Sequence, residues 1–225
     1  MSIFDGILAK IAPHECVGCT AEGSLLCVGC RTKLRRAADR CYHCFKPSPE
    51  GRTCPECAQI SPLDSLRSAV MYEKLAKKLV WKLKSGGAQS AATVMAACML
   101  PGLSQLPGRQ IVVSVPTATT RIRQRGYDQA RLLAKQLAFQ ARLPWIDCMA
   151  RSGQAHQVGA NRAQRMRQLD RSFRVSQARF VRGAHIILVD DVVTTGATLE
   201  MAAKVLKQAG AASVGAITFA RADKY

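Results

Sequence analysis

Thirteen consecutive residues constrain this chain more than any others: Ile186-Ile187-Leu188-Val189-Asp190-Asp191-Val192-Val193-Thr194-Thr195-Gly196-Ala197-Thr198. The four aliphatic residues at the start predict a buried strand. Two adjacent carboxylates follow, then small and hydroxylated residues around one glycine, then a helical run from Leu199 to Ala209. A helix start preceded by Gly and Thr offers unpaired backbone N–H groups and hydroxyls to an anion, above all a phosphate. The acid pair beside it repels that phosphate. It can instead accept hydrogen bonds from vicinal hydroxyls or help hold a divalent cation. A phosphate close to a diol describes ribose 5-phosphate. An ordinary capped βα turn would explain one Asp and one Thr, but not the whole run.

Ten cysteines occur, and eight form four C-x-x-C pairs: Cys16/Cys19, Cys27/Cys30, Cys41/Cys44 and Cys54/Cys57. A secreted chain of this kind could be a disulfide framework. Here the N-terminus lacks a basic region followed by a long apolar run, so a cytoplasmic setting with reduced thiols is expected. Two C-x-x-C knuckles supply the four thiolates of a closed tetrahedral zinc site. The spacers of seven and nine residues within the two sets, and ten between them, suit two consecutive ribbons. Sequential pairing needs only local hairpins and is favoured over a cross-braced order. His14 and His43 adjoin knuckles, but eight thiols already fill two shells. Cys98 and Cys148 lie in apolar surroundings and read as core thiols. So small a module has little apolar content of its own, and metal supplies its folding energy. Such a ribbon either touches nucleic acid or protein, or serves as a scaffold.

Net charge is +18, unevenly spread. Residues 1–62 hold 8 Lys/Arg against 6 Asp/Glu, and residues 63–225 hold 25 against 9. Within residues 121–182 there are 14 Lys/Arg and 3 Asp. Such an excess favours phosphates, on a small ligand or on a nucleic-acid backbone. No apolar run reaches the roughly 18 residues of a membrane span, so no membrane insertion is expected.

A polar link at residues 58–65 suggests a boundary, dividing the chain into residues 1–62 and residues 63–225. Beyond it, Glu73 to Lys84 and Ala88 to Leu100 predict helices, and Ile111 to Val115 a strand closed by Pro116. Gly126 to Arg142 predicts one amphipathic helix, Trp145 to Cys148 a short strand, and Ser213 to Ala220 a last strand. Strands alternating with helices imply a doubly wound, mostly parallel α/β sheet with its ligand beyond the carboxyl ends of the strands.

The run at Ile186–Thr198 resembles the signature with which type I phosphoribosyltransferases bind 5-phosphoribosyl-1-pyrophosphate (PRPP). Two more blocks carry a resemblance. Val115-Pro116-Thr117 through Arg121, Arg123, Arg125, Gly126, Tyr127, Asp128 and Gln129 resembles the VPVP…RxxxRGFNQ block of the ComF (GntX/ComFC-like) family, with Tyr for Phe and Asp for Asn. Arg151 to Phe173, with Gln157-Val158-Gly159, Arg162, Arg165 and Arg167, resembles that family's QTGLS block, departing from it at Val158, Ala160, Asn161 and Gln168. In position this second block matches the mobile loop of type I enzymes. The resemblance implies a type I phosphoribosyltransferase fold behind an N-terminal double zinc ribbon. It places the 5-phosphate of PRPP on Thr194, Thr195, Gly196, Ala197 and Thr198, ribose hydroxyls on Asp190 and Asp191, and Val192 and Val193 between them. Pyrophosphate would lie with Mg²⁺ on Ser114, Val115, Pro116 and Thr117. It also implies a link to natural competence and DNA uptake, with single-stranded DNA and other competence proteins as partners. Two activities follow: a phosphoribosyltransferase of unknown acceptor, or a single-stranded DNA-binding protein that keeps the fold without transfer.

Overall fold

The computed structural model describes residues 15–86, 88–104, 108–151 and 173–222. The segment holding Arg162, Arg165, Arg167 and the Gln157 motif lies outside the described residues, as does His14.

Among the described residues, one-turn helices come first, at the second knuckle of each cysteine set: α1 (Val28–Arg31) and α2 (Pro55–Ala58). Then follow β1 (Ser65–Met71), α3 (Lys74–Ser85), α4 (Ala88–Met99), β2 (Gln110–Ser114), α5 (Thr119–Arg125) and α6 (Gln129–Ala141). The remainder comprises β3 (Met149–Arg151), β4 (Phe173–Val175), α7 (Ala178–Val181), β5 (His185–Val193), α8 (Ala197–Gln208) and β6 (Ser213–Arg221). Four strands make one wholly parallel sheet in the order β1-β6-β5-β2. Strands β3 and β4 form a separate antiparallel pair.

Alternation along the strands builds two cores. Val112 and Val189 face a layer of α3, α4 and α6, through Leu79, Leu83, Met95, Leu133 and Leu137. Ile111, Val113, Ile186 and Leu188 face the other side, with Leu199, Ala203 and Leu206 of α8. Burial on both faces is what a parallel sheet requires.

The cysteine-rich head straddles the edge of this sheet. Arg36 pairs with Val70 and Arg52 with Ser65, both antiparallel, so head backbone covers β1 at two points. The Met71 N–H donates to the Arg35 carbonyl at 2.8 Å and the Thr53 N–H to the Asp64 carbonyl at 2.9 Å. An open strand edge is a pairing hazard, and the head removes it. Cys16, Leu25, Leu26 and Cys30 join the core under α3, whereas Tyr42 and Leu63 join the core under α8.

Four sequence expectations need correction. The helix expected over Gly126–Arg142 is there as α6 but starts three residues later, at Gln129, and a further short helix, α5, precedes it unannounced. Gly126, at φ +79°, stops α5, and Asp128 caps α6 by accepting the Arg131 N–H at 3.1 Å. The short strand at Trp145–Cys148 falls instead at Met149–Arg151; Trp145 contributes only an isolated bridge to Val112. The acid pair does not follow its strand but lies within it, because β5 keeps pairing with β6 through Asp190–Thr218 and Val193–Arg221. Finally, β1 had no place in the sequence reading. Arg67 and Ser68 interrupt its apolar pattern, yet Arg67 pairs with Asp39 through Nε at 3.2 Å and Nη2 at 2.9 Å, and Ser68 meets the Thr218 hydroxyl at 2.8 Å.

Candidate functional site

The carboxyl ends of β5 and β2 lie side by side, since Ser114 is in register with Val189 and the Val115 N–H donates to the Val189 carbonyl at 3.0 Å. The two loops singled out in the sequence therefore leave the sheet together. Thr194, Thr195, Ala197 and Thr198 are exposed, while Gly196 is buried. Gly196 takes φ +81° and starts α8 with no side-chain cap, leaving first-turn N–H groups for an incoming acceptor. Thr195 Oγ1 accepts the Ala197 N–H at 3.3 Å, which folds the loop back toward the helix.

Asp190 and Asp191 each brace the backbone. Asp190 Oδ1 accepts the Asp191 N–H and Asp191 Oδ1 accepts the Val192 N–H, both at 2.8 Å. Burial, reinforced by the neighbouring Asp191 charge, raises the Asp190 carboxyl well above the ordinary carboxylate range. The second oxygen of Asp191 is buried against the Lys84 ammonium at 2.6 Å. Lys84 lies in the last turn of α3, and the Tyr127 hydroxyl donates to the neighbouring Leu83 carbonyl at 2.5 Å. Thus α3, the turn between α5 and α6, and β5 converge on the acid pair. Lys84 had no mark in the sequence beyond its place in a lysine-rich helix.

Of the pyrophosphate-loop residues, Ser114 and Val115 are buried, and Pro116 and Thr117 are half-buried. The Thr117 hydroxyl donates to Asp128 Oδ1 at 2.8 Å. Arg121, Arg123 and Arg125 lie on α5. Arg121 and Arg123 are exposed; Arg125 has a buried Nη1 without a partner among the described residues. Arg151 likewise keeps a buried, unpartnered Nε and stacks 5.5 Å over the Phe173 ring. Desolvation, then the charge of Arg121, lowers the Arg151 pKa, so two guanidinium groups feel one another here. Orphan guanidinium donors are suited to an anion.

A second contact reaches the loop from the head. Tyr42 is 5% exposed, and its hydroxyl donates to Glu200 Oε1 in the first turn of α8 at 2.7 Å and meets Ser61 Oγ. Its ring lies against Gly196, where an added Cβ would come within 3.2 Å of Tyr42 Cδ2. Burial raises the phenol above its ordinary range, with the Glu200 charge acting in the same sense, so it stays a donor. A side chain beside the Cys41 knuckle therefore fixes the glycine loop, a contact that no local pattern announces.

The eight thiols gather as the sequential order expects. Cys16, Cys19, Cys27 and Cys30 place their sulfurs within 4.8 Å of one another, as do Cys41, Cys44, Cys54 and Cys57. The Cys19–Cys27 and Cys44–Cys54 sulfurs are 3.6 Å apart. That is close to the ~3.75 Å edge of a tetrahedron with Zn–S near 2.3 Å, and far beyond the ~2.05 Å of a disulfide. Burial raises the Cys16 thiol, but the Cys27 and Gly18 amides, donating at 3.4 and 3.5 Å, outweigh it and bring it down to about 6. Cys41 falls to about 6 in the same way, with burial outweighed by backbone donors at Cys44 and Cys54. Amides aimed at these two sulfurs favour the thiolate, whereas burial, with the neighbouring thiols, pushes Cys30 and Cys57 up to about 12; the gathering of four sulfurs is what fits zinc. His43 is exposed, with Nδ1 3.7 Å from the Cys57 sulfur. Cys148 is fully buried as a core thiol, and Cys98 is half-buried against the core.

Residues 122–225 match the family described as the phosphoribosyl transferase domain. The chain is 32% identical to the DNA utilization protein YhgH of Salmonella typhimurium, over 84% of this chain and 87% of that protein. It is 30% identical to the competence protein ComFC of Bacillus subtilis, over 87% of this chain and 84% of that one. Among solved structures, the allosteric regulatory enzyme of purine biosynthesis overlaps 58% of this chain and 25% of its own, with a TM-score of 0.41 and 19% identity. No helix among the described residues is long and apolar enough to cross a membrane.

Proposed function

The chain belongs to the ComF family, phosphoribosyltransferase-like proteins behind a cysteine-rich head, and on that premise we propose that it binds PRPP at the carboxyl end of β5. The observation that carries this reading is the pair Asp190/Asp191 standing directly before the uncapped, glycine-started N-terminus of α8. The 5-phosphate accepts hydrogen bonds from the first-turn amides and from the Thr194, Thr195 and Thr198 hydroxyls. The carboxylates accept from the ribose hydroxyls. The pyrophosphate lies toward Val115–Thr117 and the orphan donors of Arg125 and Arg151. Two carboxylates beside phosphates are the donor set that Mg²⁺ takes, and the ion would neutralise charge on the leaving pyrophosphate. Lys84 then acts as a stand-in cation on Asp191, displaced or redirected to the pyrophosphate when ligand enters.

As an enzyme the chain transfers the phosphoribosyl group to an acceptor, with positioning and charge stabilisation of the leaving group as its means. The second reading is a single-stranded DNA-binding protein that uses the fold without transfer. The excess of 14 Lys/Arg over 3 Asp in residues 121–182 favours it, as do relatives named for DNA utilization and competence. Exchange of labelled pyrophosphate into PRPP, with candidate bases or DNA present, separates the two. Exchange above a no-protein control supports the enzyme; PRPP binding without exchange supports the binder. Absence of PRPP binding removes the enzyme reading and leaves DNA binding to be tested by itself.

A further inference from the structure

A groove of about 560 Å³ lies along α3. Its walls are Val17 of the first cysteine quartet, Tyr72 after β1, and Lys77, Lys78, Trp81 and Lys82 of α3. Lys84, the residue paired with Asp191, lines it as well. Among the described residues, no carboxylate lines it. The lysines of an amphipathic helix ordinarily make a solvated face, but here a tryptophan 61% exposed stands among them, on the side where polar residues belong. Lys77 lies 5.7 Å from the Tyr72 ring centroid and Lys82 5.7 Å from that of Trp81. The Lys78 ammonium donates to the Val17 carbonyl at 3.1 Å, fastening the ribbon as the opposite wall.

The groove surface is mostly apolar, made by rings and aliphatic lysine stems, with ammonium groups beside the two rings. A single strand of nucleic acid needs both, since bases stack on the apolar faces and the cations follow the phosphates. An acidic peptide would satisfy the lysines but leave the flat Trp81 face unused, and an apolar helix would strand the charges. We propose that this groove, and not the arginines of α5, is the principal surface for single-stranded DNA. The inference rests on the DNA-handling side of the reading above and goes beyond it in placing the strand. It also assigns the first zinc ribbon a role as a wall of the binding groove.

The test is binding of a labelled oligothymidylate, longer than the roughly 4–16 nucleotides that single-strand-binding OB folds cover, titrated across salt concentrations. Trp81→Ala lowers affinity by about 5- to 150-fold, the loss of one stacked base, and Trp81→Phe restores most of it. Lys77→Gln with Lys82→Gln flattens the slope of log K against log salt by about 1.4, or ~0.7 for each phosphate contact. Replacing Arg121, Arg123 and Arg125 by Gln changes the slope less than the lysine pair does. Wild-type affinity in both groove variants, an arginine variant alone affected, competition by polyglutamate as strong as by DNA, or no oligonucleotide binding by the wild-type chain would each overturn the proposal. Calorimetry of Mg²⁺·PRPP on the same proteins tests the other reading by itself, since neither Trp81, Lys77 nor Lys82 belongs to the signature loop. Failure of PRPP to bind would sink that reading while the groove result stood.

Discussion

Replacing Tyr42 by Phe tests whether the head holds the glycine loop. The ring stays against Gly196, so only the hydroxyl's two bonds are lost, one to the Glu200 carboxylate at 2.7 Å and one with Ser61. A hydrogen bond to a charged group contributes about 1.5–3 kcal/mol and a neutral one about 0.5–1.5 kcal/mol. Both bonds are only part-buried, so solvation of the partners offsets some of that. The expected loss is therefore about 2–3 kcal/mol, which for a chain of this size lowers Tm by roughly 5–10 °C. Tyr42→Ala also removes the buried ring and should cost about 3–5 kcal/mol. Thermal unfolding followed by calorimetry, on zinc-loaded protein, measures both. PRPP affinity should fall several-fold in the Phe variant, because the loop that carries the phosphate donors loses its brace. A Tm within about 1 °C of wild type, together with unchanged PRPP affinity, would refute the coupling between head and loop.

Elemental analysis should find about two zinc ions per chain. Chelation should unfold the head and also lower the Tm of the α/β part, because Cys16, Leu25, Leu26 and Cys30 belong to the core under α3. One ion per chain would contradict the two four-cysteine centres. Stability without ligand should also depend on pH through Asp190. Its carboxyl is raised on folding, so the folded chain holds that proton more tightly than the unfolded one. The corresponding stability is present below the unfolded carboxylate pKa and is lost as pH rises through the folded value. Asp190→Asn should flatten Tm against pH in that window, and an identical slope in wild type and variant would show that another group is responsible.

The parts of this molecule that rest on contiguous residues were legible in its sequence. Ile186–Thr198 declared a strand, an acid pair and a helix start because each depends on near neighbours, and the cysteine spacing declared two local sites for the same reason. Helix α5 before Gly126 was missed, and the start of α6 was set three residues early, although Asp128, a strong capping residue, stood just before it. Strand β1 was missed because its polar residues are satisfied from far away: Arg67 by Asp39 and Ser68 by Thr218. Lys84 and Tyr42 were missed for the same reason. Lys84 reaches Asp191, and Tyr42 reaches Glu200, only after the sheet has brought α3 and the Tyr42 part of the head to opposite faces.

The measurement that bears most directly on the account is calorimetric titration of Mg²⁺·PRPP into wild type and into the Asp190→Asn, Asp191→Asn double variant, with oligothymidylate titrated in parallel. Each buried hydroxyl left without its carboxylate acceptor costs about 1–3 kcal/mol, so PRPP affinity should fall by at least about tenfold. DNA affinity should hold or rise, since two negative charges are gone. Equal PRPP affinity in the two proteins would contradict the ribose assignment and, with it, the reading of the β5 loop as a PRPP site.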